Sequence, residues 1–82
     1  MVTVKFFGLM RIHSHVKSLE VKTGTVRDAI EEIVSQQPQI PKESLFQSII
    51  IYNKVQLNGN KRLKYHLKDG DELVFLSPAS GG

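Results

Sequence analysis

This chain contains no cysteine, which removes disulfides, thiolate metal sites and cysteine nucleophiles at once. No apolar run approaches the roughly 20 residues of a bilayer span, so no transmembrane anchor is expected. The opening Met1-Val2-Thr3-Val4-Lys5 lacks the basic region and apolar stretch of a signal peptide, which makes the cytoplasm the expected location. There is no Gly-rich phosphate loop, no Cys/His metal set and no nucleophile elbow. At 82 residues the chain supports one domain, and a catalytic cleft of its own is not expected in so small a body.

What is present is moderate: 40% apolar residues, 23% charged, and a formal net charge of +3. The cations are scattered except for the run Lys61, Arg62, Lys64, His66 and Lys68. Such a run suits phosphates or an acidic protein partner; alternatively it is a solvated loop beside a strand pair. Only Tyr65 interleaves as an aromatic and no nucleic-acid motif surrounds it, so the loop is favoured and no nucleic-acid partner is expected. His13 and His15, two apart, would share one side of an extended segment. No carboxylate stands close to them in sequence, and no metal site is expected.

Residues 2–7 alternate and predict a strand, with Val2, Val4 and Phe6 on one face and Thr3, Lys5 and Phe7 on the other. Gly8 to Val16 breaks the alternation and is read as a long hairpin loop, leading to a strand over residues 18–22 with Leu19 and Val21 inward. Thr25 then caps a helix, and Asp28 three places on makes an acidic capping box. Val26, Ala29, Ile30, Ile33 and Val34 form its apolar stripe, and Pro38 ends it by disfavouring helical geometry at Gln37. Pro41 opens a short second helix through Phe46. Ile49 to Tyr52 is strand, Val55-Gln56-Leu57 continues the extended reading, and Asn58-Gly59 marks a turn. A second turn at Asp69-Gly70 precedes the last strand, residues 72–76.

One main helix must bury its stripe against one face of a small mixed sheet, giving an α+β class. A helix between the second and third strands, with apolar first and last strands side by side at the centre, is the β-grasp arrangement. The expected sheet has four to five strands. Parity sends Leu73 and Phe75 to the core and Val74 and Leu76 outward, so Phe7 and Leu76 become exposed apolar positions opposite the helix. The boundaries that follow are a β-grasp domain over residues 1–76 and an extended tail over 77–82.

That tail, Ser77-Pro78-Ala79-Ser80-Gly81-Gly82, carries no core-building residue. Six extended residues reach about 20 Å, enough to enter a partner's active site while the body stays outside. Gly81 and Gly82 fit a channel too narrow for side chains, and Pro78 restricts the base of the arm. The reactive group offered is the carboxylate of Gly82; the plain alternative is a frayed end.

Phe6-Phe7-Gly8 with Arg11, the Thr25-Val26-Arg27-Asp28 helix start, Leu67-Lys68-Asp69-Gly70-Asp71-Glu72-Leu73 and the Ser77–Gly82 ending together resemble the MoaD and ThiS sulfur carriers. The likeness runs end to end and is nearer MoaD, the ubiquitin-like small subunit of molybdopterin synthase. It implies that a MoeB-type enzyme uses ATP to adenylate Gly82, that sulfur replaces AMP to give a thiocarboxylate, and that a MoaE-type large subunit then draws on it. The carrier binds no cofactor and supplies a substrate group, so it is not itself an enzyme. Phe7, Arg11 and Leu76 match family positions on the partner-facing side, and Pro78, Ala79 and Ser80 belong to the inserted arm. Two departures stand out. The third apolar position of the family patch falls on Asn60 or Lys61, and Ser77 replaces the first of two frequent prolines.

Three alternatives share the fold. One is a protein modifier joined through Gly82 to lysines of target proteins, another a thiamine-pathway sulfur carrier. The third is a binding module whose tail is unused. No membrane partner is expected under any of them.

Overall fold

The alternation at the start of the sequence is realised in β1 (Val2–Phe7), where Val2, Val4 and Phe6 are buried and Lys5 and Phe7 are exposed. The computed structural model describes residues 1–77. After β1 come α1 (Leu9–Ser14), β2 (Ser18–Val21), β3 (Gly24–Thr25), α2 (Val26–Gln36) and α3 (Lys42–Gln47). Then follow β4 (Ile49–Tyr52), β5 (Val55–Leu57), a 3₁₀ turn (Asn60–Lys64), β6 (His66–Leu67) and β7 (Glu72–Leu76). The main sheet runs β2-β1-β7-β4-β5, and β3 pairs with β6 in a separate two-stranded ribbon. β1 and β7 are parallel at the centre, while β1–β2, β4–β7 and β4–β5 are antiparallel. This is a mixed β-grasp sheet of five strands, within the four to five expected from the order of elements.

Helix α2 forms because its capping box closes. The Asp28 amide donates to the Thr25 hydroxyl at 3.1 Å, and the Thr25 amide donates to the Asp28 carboxylate at 3.0 Å. Two of the orphan N–H groups at the helix start are thereby satisfied. The helix stops at Gln36, and Gln37 takes φ −131°, as a residue before proline must. Val26, Ala29, Ile30 and Ile33 are buried in one cluster with Val2, Val4, Phe6, Val21, Ile50, Leu73 and Phe75 of the sheet. Val34 packs on its edge. Truncating one such isoleucine to alanine costs about 2–5 kcal/mol, so this interface decides whether the domain folds.

Two local readings are corrected. The expected loop after Gly8 contains α1, in which only Met10 is buried among the apolar residues while Leu9 and Ile12 are exposed. Six residues are too few to be helical alone, and no apolar stripe announces them; the turn persists because Met10 is held in the core. The extended reading through residues 49–57 is also interrupted. Asn53 and Lys54 take φ of 46° and 73° and reverse the chain between β4 and β5. Both central residues are thus left-handed, as in a type I′ turn, a geometry more familiar with glycine in second place.

Candidate functional site

Central strand β7 delivers the chain to its tail. Its alternation buries Leu73 and Phe75 and leaves Val74 and Leu76 half-buried on the outer face. In register, Phe7, Leu76 and Ile49 form one row across β1, β7 and β4. The next row is Lys5, Val74, Ile51 and Gln56. Residues in register on neighbouring strands face the same side, so the outer face is apolar where β7 ends. At the opposite end it turns polar, where Lys5 and Glu72 pair at 2.9 Å.

Phe7, 42% exposed, lies on the outer face as parity predicts; Leu76 shares that face but is half-buried rather than exposed. Ile49 and Ile51 join them, which three consecutive isoleucines could not reveal, since the phase of such a run is not legible. Their presence bears on the missing third apolar position, because β4 supplies apolar surface that Asn60 or Lys61 does not. Both of those residues are exposed on or beside the 3₁₀ turn. Arg11 is exposed on α1, as are Leu9 and Ile12, which lie just beyond Phe7 in the chain.

The root of the tail is anchored. The Met10 amide donates to the Ser77 hydroxyl at 2.9 Å, tying the residue after β7 to the first turn of α1. Gly8, at φ 71°, lets the two segments approach: a Cβ there would stand 3.3 Å from Leu76 Cδ1 and 3.6 Å from the Ser77 nitrogen. A proline at position 77 has no hydroxyl to accept this bond, so the departure from the family pattern has a structural consequence. Pro78, Ala79, Ser80, Gly81 and Gly82 lie outside the described residues.

The histidine pair does not have the geometry assumed for it. Position 13 is helical and His15 is the left-handed cap of α1 at φ 61°, so the backbone here is not the extended segment expected from the sequence.

Titration is perturbed at the far end of the sheet. The Tyr52 hydroxyl donates to Asp71 at 2.7 Å, and Asp71 also accepts from the Lys68 amide and from Asn53 Nδ2. The Tyr52 bond, then the Lys68 amide, hold the Asp71 carboxyl below its ordinary value. The same bond to Asp71 pushes Tyr52 up to about 12. Asp28 is lowered by the Thr25 amide and then by the Thr25 hydroxyl. These groups brace turns and a helix start, and Tyr52 and Asp71 stand at the opposite end of β7 from Ser77.

The ThiS family profile matches residues 4–82. No curated protein matches the sequence. Among solved structures, SAMP1 from Haloferax volcanii superposes with a TM-score of 0.80 at 21% identity, over 99% of this chain and 98% of that one. The complex of subunits 1 and 2 of molybdopterin-converting factor from Helicobacter pylori contains a chain with a TM-score of 0.69 at 27% identity, over 99% and 97%. The BexX/CysO complex of Amycolatopsis orientalis contains one with a TM-score of 0.75 at 28% identity, covering 100% of both chains.

Proposed function

Because the chain belongs to the ThiS family, we propose that it is a sulfur carrier whose Gly82 carboxylate is adenylated and then converted to a thiocarboxylate that donates sulfur in molybdopterin biosynthesis. The observation that carries the reading is the family match through residue 82. It is supported by the central strand that leads into the tail beside an outer apolar row of Phe7, Leu76 and Ile49.

The chemistry needs this division of labour. A carboxylate is a poor electrophile because its leaving group would be oxide. A MoeB-type enzyme therefore spends ATP to attach AMP to Gly82, releasing pyrophosphate. A sulfide-level nucleophile then adds to the acyl carbon, AMP leaves, and the C–O bond to AMP is replaced by C–S. An acyl adenylate hydrolyses readily in water, so a narrow dry channel around Gly81 and Gly82 protects it. Pro78, Ala79 and Ser80 span the distance into that channel, and Phe7, Arg11 and Leu76 meet a MoaE-type large subunit. The partner proteins supply the catalysis, and the carrier itself holds no cofactor.

The subunit complex from Helicobacter pylori lends support, since one of its members resembles this chain along nearly its whole length. Deleting Gly82 tests the reading in the native host. Loss of pterin cofactor with no change in protein conjugates is the expected result. Persistence of both cofactor synthesis and conjugates would leave the tail unused, and loss of conjugates alone would make the protein a modifier.

A further inference from the structure

Both tyrosines of the chain line one cleft, at the end of the sheet away from the root of the tail. Tyr52 is in register with Leu73 at the start of β7, whereas Leu76 is in register with Ile49. Three residue steps of β4 therefore separate the cleft from the outer apolar row, about 10 Å along the strand. The cleft measures about 520 Å³ and is lined by Tyr52, Lys61, Lys64, Tyr65, His66 and Lys68.

Its lining combines two properties. The Tyr52 and Tyr65 rings stand 4.7 Å apart at 55°, forming an aromatic wall. Tyr52 is fixed by its bond to Asp71, while Tyr65 is 44% exposed. Around them Lys61, Lys64 and Lys68 are exposed, and among the described residues none of the three forms an ion pair. Lys61 and Lys64 are three apart on the 3₁₀ turn, which eclipses them on one side, about 6 Å apart along its axis. Among the described residues the lining holds no carboxylate; Asp71, beside it, is occupied by the Tyr52 hydroxyl and the Lys68 amide. Arg62 leaves the group by turning inward, where it donates to the carbonyls of Phe46 and Ser48. The basic run that reads in sequence as a solvated loop is therefore sorted by folding into one structural arginine and three lysines beside an aromatic pair.

We propose that this cleft binds a phosphate-bearing aromatic ring, a nucleotide that is free or a unit of a single strand, with Tyr65 stacking on the base and Lys61, Lys64 and Lys68 meeting phosphate. An acidic peptide would engage the ammonium groups and leave the tyrosine wall uncovered, whereas a nucleotide satisfies both. The site is remote from Ser77 and Leu76, so its occupancy is compatible with a partner on the outer face. It does not depend on the sulfur-carrier reading.

The chain has no tryptophan, so emission excited in the tyrosine band, where phenylalanine does not absorb, arises from Tyr52 and Tyr65 and reports this cleft directly. The full chain is titrated with AMP, adenosine, inorganic phosphate and single-stranded oligoadenylate. Saturable quenching by AMP supports the proposal with a free nucleotide as source, and quenching by oligoadenylate alone supports it with a strand. Tyr65→Ala, followed through Tyr52 emission, weakens binding about tenfold. The double substitution Lys61→Gln with Lys64→Gln reduces the slope of log K against log salt for the strand from about −2 to about −0.7. Thermal unfolding of each variant confirms that it is folded. Emission unchanged by AMP and oligoadenylate at millimolar concentration overturns the proposal. Quenching that is identical in the lysine variant, or displacement by polyglutamate as effective as by AMP, overturns it too.

Discussion

Phe7 and Leu76 are register partners across the parallel β1–β7 pair, and both side chains leave the core on the same face, one residue before Gly8 and Ser77 bring the two segments together. An exposed aromatic at the centre of a sheet contributes little to folding and much to association. Phe7→Ala is therefore predicted to shift stability by less than about 1 kcal/mol and to weaken large-subunit binding about tenfold or more. Thermal unfolding beside an affinity titration separates the two; a large stability loss with unchanged affinity would return Phe7 to the core.

Its neighbour behaves oppositely. Phe6 is 1% exposed and stacks on Phe75 at 6.1 Å between centroids. Phe6→Ala is expected to cost about 3–5 kcal/mol, a large part of the stability of a domain this small. Denaturant unfolding should show the midpoint collapse, and a mild change would mean that the parity of β1 is misassigned.

The Asn53–Lys54 turn offers a gain. Lys54 holds φ 73°, a conformation that costs an L-residue energy and glycine none. Lys54→Gly creates the Asn-Gly pair best suited to a type I′ turn and is predicted to raise stability by up to about 1 kcal/mol. A lowered melting temperature would show that the entropy added to the unfolded chain outweighs the relief of strain.

Stability should also fall at both extremes of pH. Asp71 and Asp28 are held below their ordinary values, so their contribution is present above about pH 4 and is lost as the pH drops through the lower folded values. Tyr52 is raised to about 12, so the folded form keeps a proton that the unfolded chain sheds near pH 10. Its contribution is complete below pH 10 and disappears as the pH rises to about 12. In a series of melting temperatures against pH, Tyr52→Phe should abolish the alkaline decline and preserve the Asp28 part of the acid one. An alkaline limb unchanged in Tyr52→Phe would place its origin elsewhere.

The sequence showed the framework wherever a period or a cap left a signature. The antiparallel pair β1 and β2, the Thr25–Asp28 box, the stop before Pro38 and the outward phase of Phe7 and Leu76 all follow from local rules. Features that depend on distant partners were illegible. Helix α1 exists because Met10 finds the core, and Ser77 is anchored because its hydroxyl meets an amide 67 positions away. Ile49 and Ile51 could not be assigned a face until β4 had a register against β7. Tyr52 and Tyr65 are 13 positions apart, and only folding sets them beside the lysines.

The most direct test is the intact mass of the full chain purified from its native host, followed by fragmentation of the C-terminal peptide. A gain of about 16 Da on Gly82, one oxygen exchanged for sulfur through an acyl intermediate, is the predicted result. An unaltered Gly82 in cells actively making the cofactor, or Gly82 found only in amide linkage to lysines of other proteins, would contradict it.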